Sequence, residues 1–394
     1  MELDQIKKQY DKYVLATYAR TDLCLVKGKD TVVEDINGKK YLDFFPGWVV
    51  SGVGHRNSYV VKRMKDQMDK IFHVSNNYYN ELQGELSQKI IENSFKGKVF
   101  YGNSGAEANE GAIKLARKYG SEEGRYEIIT MTRSFHGRTM ATLSATGQDK
   151  VKKGFAPLLE GFIHVPFNDI DAVKKAITKK TVAVMLEPIQ GEGGINIADK
   201  KYMKQLRDLC DEKKILLILD EVQTAMGRTG KMFGYKYFGI TPDIMTLAKS
   251  LGGGLPIGAF VVRSEFADVL QPGNHGSTFG GSPLICAAAL GVFDSLTKGG
   301  LLKQCNIMSS YFKKRLIELK KKQPIIKTIK IVGLMIGLEI AVEDASNVYK
   351  KCLEKGLLIN CTQGNILRIM PPLCVTKAQA DKAIKILEDV LSES

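Results

Sequence analysis

Tryptophan occurs once among the 394 residues, at Trp48, and histidine only five times. None of the histidines has HExxH-type spacing, so a metal centre has no support and none is expected. The seven cysteines, Cys24, Cys210, Cys286, Cys305, Cys352, Cys361 and Cys374, are odd in number and form no CxxC pair. That argues against a disulfide framework or a zinc ribbon and fits reduced thiols. Long apolar runs are missing: even Ile215 to Leu219 is far too short to span a bilayer. The N-terminus, MELDQIKKQYDKY, lacks the apolar stretch of a secretory signal. No internal repeat, low-complexity linker, P-loop or GxGxxG motif is present. A soluble, cytoplasmic protein with no membrane partner is the expectation.

What is present is the composition of a globular protein, 44% hydrophobic and 25% charged. At about 150 residues per domain the length corresponds to two or three domains. Lys and Arg number 57 against 43 Asp and Glu, a net charge of +14. Such an excess favours anionic ligands, or nucleic acid where it is clustered. Here it is dispersed. The densest run, Lys313-Lys314-Arg315 with Lys320-Lys321-Lys322, reads as a solvated helix end. No nucleic-acid partner is expected.

Near the N-terminus, Asn37-Gly38 between two alternating runs predicts a hairpin with a type I′ turn. From about residue 60 to 284, short apolar strands alternate with amphipathic helices. Strands without polar alternation are buried on both faces, which predicts an α/β domain around a mostly parallel sheet. Residues 285–394 read as a smaller α+β unit, with the segment 1–59 packed against it.

Ligands of such sheets bind beyond the carboxyl ends of the strands, and four of these places carry unusual residues. After Lys98–Tyr101 comes Gly102-Asn103-Ser104-Gly105-Ala106, a small-residue loop opening a helix, where free N–H groups suit a phosphate. Asp220 follows Ile215 to Leu219; a carboxylate there needs a partner, and a pyridinium nitrogen would serve. Lys249 follows the strand Ile244–Leu247 and precedes Gly252-Gly253-Gly254. Burial and nearby positive charge would free its amine as a nucleophile, and the glycines would let the backbone approach a ligand. The loop Ser134-Phe135-His136-Gly137-Arg138-Thr139 offers an aromatic for stacking and an arginine for a carboxylate. Taken singly, each has an ordinary alternative: a helix cap at Ser104, a salt bridge at Asp220, a surface lysine at 249, a packing histidine at 136. Taken together, the phosphate loop, stacking ring, acid and nucleophilic lysine are the requirements of pyridoxal phosphate.

These segments resemble the class III, or ω-amino acid, aminotransferases over nearly the whole chain. NSGAEANEGAIKLARKYG, SFHGRT, EPIQGEGG, LDEVQTAMGRTG, PDIMTLAKSLGGG and HGSTFGGSPL follow in the family's order. The resemblance implies a fold-type I transferase that builds its sites at a homodimer interface. Lys249 would carry the cofactor and move the proton, while Asp220 pairs with the ring nitrogen. Ser104, Gly105 and Ala106 would hold the phosphate, Phe135 would stack on the ring, and Gln223 would lie by its phenolic oxygen. Glu221 and Val222 belong to the same cofactor-binding stretch. Thr278 would reach the phosphate of the neighbouring subunit, and Ser277 would touch substrate. Arg138 would grip the distal carboxylate of an acylated ornithine and Arg368 the α-carboxylate of glutamate. A bare, desolvated Arg368 would be unpaired whenever the ω-amine donor binds, and Glu192 resembles the acid that neutralises it. Glu187 is the structural acid of that pair.

The branch implied moves the ω-amine of N2-acetyl-L-ornithine to 2-oxoglutarate, giving glutamate, in arginine biosynthesis. N-succinyl-LL-2,6-diaminopimelate is a second possible donor, and ornithine or 4-aminobutyrate aminotransferase and an aminomutase are the alternatives. A basic nucleic-acid-binding protein is the remote one. One departure stands out: after Gly54-His55 the family has a residue and then His-Pro, where this chain has Arg56-Asn57-Ser58. That leaves the entrance loop open, and Trp48 on the same segment is either a substrate contact or a core residue.

Overall fold

The computed structural model describes residues 2–393. Its largest sheet has seven strands in the order Gly97–Gly102, Gly258–Arg263, Ile244–Leu247, Leu216–Asp220, Thr181–Leu186, Glu127–Met131, Phe162–Val165. Thr181–Leu186, Leu216–Asp220 and Ile244–Leu247 are buried throughout. Successive side chains point to opposite faces, and both faces here are apolar. Leu217, Leu219, Val184 and Leu186 enter one core with Tyr202, Met203 and Leu206 of the helix Lys200–Lys213. Leu216, Ile218, Ala183 and Met185 enter another with Ala112, Ile113 and Leu115 of the helix Gly105–Tyr119.

Gly258–Arg263 runs antiparallel to both its neighbours; the other ladders are parallel. A parallel return needs a crossover of roughly a dozen residues or more. The ten residues 248–257 hold only the short 3₁₀ turn Lys249–Gly252 and no crossover helix, so the chain doubles back.

A second sheet, Ile326–Val332, Met335–Ile340, Ile366–Ile369 and Asn360–Thr362, is antiparallel. Leu301–Lys322 and Lys377–Ser392 are its long helices, the latter opened by a reciprocal Thr376–Gln379 cap. The N-terminal strands Leu25–Lys29, Val32–Asp35 and Lys40–Asp43 form a third sheet, and Leu357–Leu358 from the C-terminal part adds to it alongside Lys40–Asp43.

The hairpin at Asn37-Gly38 forms, but its turn is not type I′. Only Gly38 has positive φ, at 82°. Gly38 N–H donates to Asp35 O and Asp35 N–H to Lys39 O, a three-residue loop with its left-handed residue last. The cause is Asp35: its Oδ1 accepts from the N–H groups of Asn37 and Lys39, which holds Asn37 on the ordinary side of φ. Among the described residues no single helix is long and apolar enough to cross a membrane.

Candidate active site

At the carboxyl edge of the large sheet lies a cavity of about 550 Å³. Ser104, Gly105, Ala106, Phe135, Arg138, Glu187, Glu192, Asp220, Val222, Gln223 and Lys249 all line it. Its floor is the start of the helix Gly105–Tyr119. Ser104 Oγ accepts from Glu107 N–H at 3.1 Å, and Glu107 Oε2 turns back onto the N–H and side-chain amide of Asn103. The N–H groups of Gly105 and Ala106 have no acceptor within the helix, which is the setting of an anion site.

Asp220 ends the strand Leu216–Asp220 and is buried. Its Oδ2 accepts from Asn109 Nδ2 and lies against His136 Nδ1, both at 2.8 Å, and its Oδ1 accepts from Val222 N–H at 3.1 Å. Asn109 is fixed in turn: its Oδ1 accepts from Thr246 Oγ1, and its Nδ2 also donates to His136 O. His136 Nε2 is buried without a partner, as is Gln223 Oε1 on the cavity wall. Asn109 is a residue that sequence reasoning missed. Its signal was a polar side chain on the apolar stripe Ala108, Ala112, Ile113, Leu115.

Lys249 leaves the strand Ile244–Leu247 with φ of 45°, a strained value for a residue with a side chain. Ser250 Oγ donates to Val49 O at 2.6 Å and ties this bend to the N-terminal segment. Burial lowers the Lys249 ammonium pKa. Glu192, Asp220 and Glu187 pull the other way, and Arg368 adds to the lowering. Of the three glycines that follow, only Gly254 lines the cavity. Gly253 has φ of 59°, and a side chain there would meet Val292 at 2.8 Å, so it serves the turn and the packing beneath rather than a ligand.

Phe135 is held by its own N–H, which donates to Glu187 Oε2 at 3.0 Å, while Glu187 Oε1 accepts from Gly191 N–H at 3.1 Å. Burial pushes the Glu187 carboxyl up to about 7. The exposed Arg138 lies 5.5 Å from the Phe135 ring.

Arg368 is fully buried. Its Nη1 donates to Glu192 Oε1 at 2.9 Å and its Nη2 to Glu192 Oε2 at 3.4 Å. The rings of Phe45 and Trp48 lie 4.7 and 5.4 Å from its guanidinium carbon. Trp48 therefore belongs to this site and not to the core; it is 47% exposed and sits at φ of 59°.

Three predicted residues lie elsewhere in the chain. Glu221 is fully buried but turned away from the cavity. Its carboxylate accepts from Gly234 N–H, Tyr235 N–H and Thr224 Oγ1, and burial raises it to about 7. It organises the loop after the strand. Thr278 and Ser277 line a separate cavity with His73, Asn76 and Gln83. Ser277 still reaches the first cavity's edge, because its Oγ accepts from Asn103 Nδ2 at 3.2 Å. The Arg56-Asn57-Ser58 segment is a helix start. Asn57 Oδ1 accepts from Tyr59 N–H, and its Nδ2 donates to Val53 O and Ser295 Oγ.

The family model for aminotransferase class-III matches residues 14–391. The chain belongs to the class-III aminotransferases. Among its relatives, this aminotransferase is 54% identical to an acetylornithine aminotransferase of Caldanaerobacter subterraneus, over 97% of this chain and 98% of that one. An acetylornithine aminotransferase of Methanocaldococcus jannaschii is 51% identical, over 97% and 96%. Among solved structures, the aminotransferase is similar to ornithine aminotransferase from Toxoplasma gondii crystallised with oxidised glutathione, which has partial occupancy of pyridoxal phosphate at its active site. The TM-score is 0.93 at 32% identity, covering 98% and 94% of the two chains.

Proposed function

We propose that this aminotransferase moves the ω-amine of N2-acetyl-L-ornithine to 2-oxoglutarate, giving N-acetyl-L-glutamate 5-semialdehyde and glutamate, with pyridoxal phosphate as cofactor. The relatives of highest identity reported above support the donor. The observation that carries the dual specificity is the ion pair of the buried Arg368 with the half-buried Glu192, which lines the same cavity as Lys249 and Asp220. Glutamate brings a carboxylate on the carbon that bears its amine, whereas acetylornithine brings none on its ω-carbon. A cation with a displaceable acid accommodates both, because an unpaired buried charge would be costly with the second donor.

The residues present fit the cofactor. The helix start at Gly105 and Ala106 suits a phosphate, the unpartnered Gln223 Oε1 suits a hydroxyl donor on the ring, and the buried Asp220 suits a ring nitrogen. Pyridoxal phosphate, when bound, supplies an electron sink for the carbon that bears the amine. Lys249 would hold it and carry the proton, its amine kept deprotonated more readily by burial. Phe135 would orient the ring, and Arg138 would bind the distal carboxylate of the acylated donor. Thr278 would act across a homodimer interface, which agrees with its standing outside its own chain's cavity, and Ser277 would touch substrate. A cytoplasmic location and a division into 1–59, 60–284 and 285–394 complete the proposal.

The test is a series of single turnovers. The yellow enzyme is mixed with one amine at a time, and loss of the visible band is followed for N-acetylornithine, glutamate, ornithine, 4-aminobutyrate and N-succinyl-LL-2,6-diaminopimelate. Fast bleaching by N-acetylornithine and glutamate, and slow bleaching by free ornithine, is expected. Ornithine outrunning N-acetylornithine would overturn the donor.

A further inference from the structure

Asn360 stands directly opposite Arg368 in the antiparallel pair Asn360–Thr362 and Ile366–Ile369. Cross-strand partners are close enough for their side chains to touch, and these do. Asn360 Oδ1 accepts from Arg368 Nε at 2.8 Å and from Nη2 of the same guanidinium. Both neighbours are donors, so only the oxygen of the amide satisfies them. Asn360 thus holds one edge of the guanidinium, and Glu192 holds the other.

The same hairpin grips Glu192 by its main chain. Glu192 O accepts from Thr362 Oγ1 and from Gln363 Nε2, both at 2.9 Å. The backbone of Glu192 and the guanidinium of Arg368 are therefore fixed to one element, and the Glu192 carboxylate is the only part of the pair left to swing. Phe45 and Trp48 cover Arg368 and keep water off it.

We infer that Asn360 is a positioning residue that sets the two-substrate specificity: as a neutral acceptor it keeps Arg368 in place without pairing its charge when the carboxylate of Glu192 yields to the α-carboxylate of glutamate. The inference rests on the two-substrate function proposed above. Neutrality is the essential property. A carboxylate at position 360 would pair with Arg368 permanently, so an incoming α-carboxylate would meet a neutralised site. An apolar side chain would leave buried N–H donors without an acceptor, and the guanidinium would turn away to find one.

The experiment uses the holoenzyme and three variants, Asn360→Asp, Asn360→Leu and Asn360→Gln. Single-turnover rates are measured against concentration of glutamate and of N-acetylornithine, with calorimetric binding of glutarate, an unreactive dicarboxylate, as a second readout. Asn360→Asp keeps the shape of the amide. It should raise the half-saturating glutamate concentration and weaken glutarate by at least about tenfold, the scale of one charge-assisted contact, while N-acetylornithine stays within about threefold. Asn360→Leu should show the same glutamate-selective loss, and Asn360→Gln, still a neutral acceptor, should recover part of it. Equal slowing of both donors by Asn360→Asp, or unchanged glutarate affinity, would overturn the inference. A wild-type enzyme that fails to react with one of the two donors would instead remove the underlying function, a failure visible before any variant is made.

Discussion

His136 Nδ1 stands 2.8 Å from Asp220 Oδ2, with both side chains withdrawn from solvent. Asn109 Nδ2 reaches the same oxygen at the same distance. Two side chains thus fix the orientation of one carboxylate, and Val222 N–H holds its other oxygen. The strand end supplies the acid, the helix Gly105–Tyr119 supplies Asn109, and the loop after Glu127–Met131 supplies the imidazole.

Asp220→Asn keeps the outline of the side chain and removes its charge. Preorganised charges of this kind are worth several kcal/mol of barrier, so the single-turnover rate with either donor should fall by orders of magnitude. A rate within about threefold of wild type, under ~1 kcal/mol, would remove Asp220 from the role proposed for it. Asn109→Ala should give a smaller loss of the same kind, since it frees one constraint and leaves the charge.

Lys249 should be the residue that carries the cofactor. Borohydride reduction followed by peptide mapping should find the pyridoxyl group on Lys249. Lys249→Ala should still take up pyridoxal phosphate through the helix start and Asp220, and turn over poorly. A pyridoxyl group on another lysine would refute the assignment.

Glu192→Ala leaves Arg368 permanently open. Reaction with glutamate should hold or improve, while reaction with N-acetylornithine slows. Arg368→Ala should do the reverse, because a two-pronged arginine–carboxylate contact is among the stronger hydrogen-bonded pairs. Arg138→Ala should hurt the N-acetylornithine half. Half-reactions are compared because steady-state constants of a two-step exchange mix them. Equal slowing of both halves by Glu192→Ala would make that residue structural.

Glu221 gives a pH signature in stability. Burial raises its carboxyl from 4.5 to about 7. A carboxyl raised on folding contributes stability that is complete below its ordinary value and is lost as pH rises through the folded value. Glu221→Gln cannot titrate. The wild-type advantage in melting temperature over Glu221→Gln should therefore shrink between about pH 5 and pH 8. A widening gap would mean that the donors from Gly234, Tyr235 and Thr224 outweigh burial and hold the charge.

The sequence by itself determined the layered α/β architecture, because uninterrupted apolar runs such as Ile215 to Leu219 have no stable place except between two packed faces. It also determined which strand ends carry chemistry. Asp220 follows such a run immediately, Lys249 and Ser104 come within two residues of a strand's end, and polar residues there fall at the sheet's edge by geometry alone. Six ordered motifs named the family. Tertiary structure decided what local pattern cannot encode. Glu221 looked like part of the cofactor stretch, yet the side chain after Asp220 points the other way and meets the loop at Gly234 and Tyr235. Asn109 and His136 reach one carboxylate from 111 and 84 residues away. Trp48 reads equally as core or site in the sequence, and the guanidinium of Arg368 against its ring decides it. Asn360 gave no signal in the sequence at all, because its significance lies in a cross-strand register. Backbone register is a property of paired strands, and no single segment contains it.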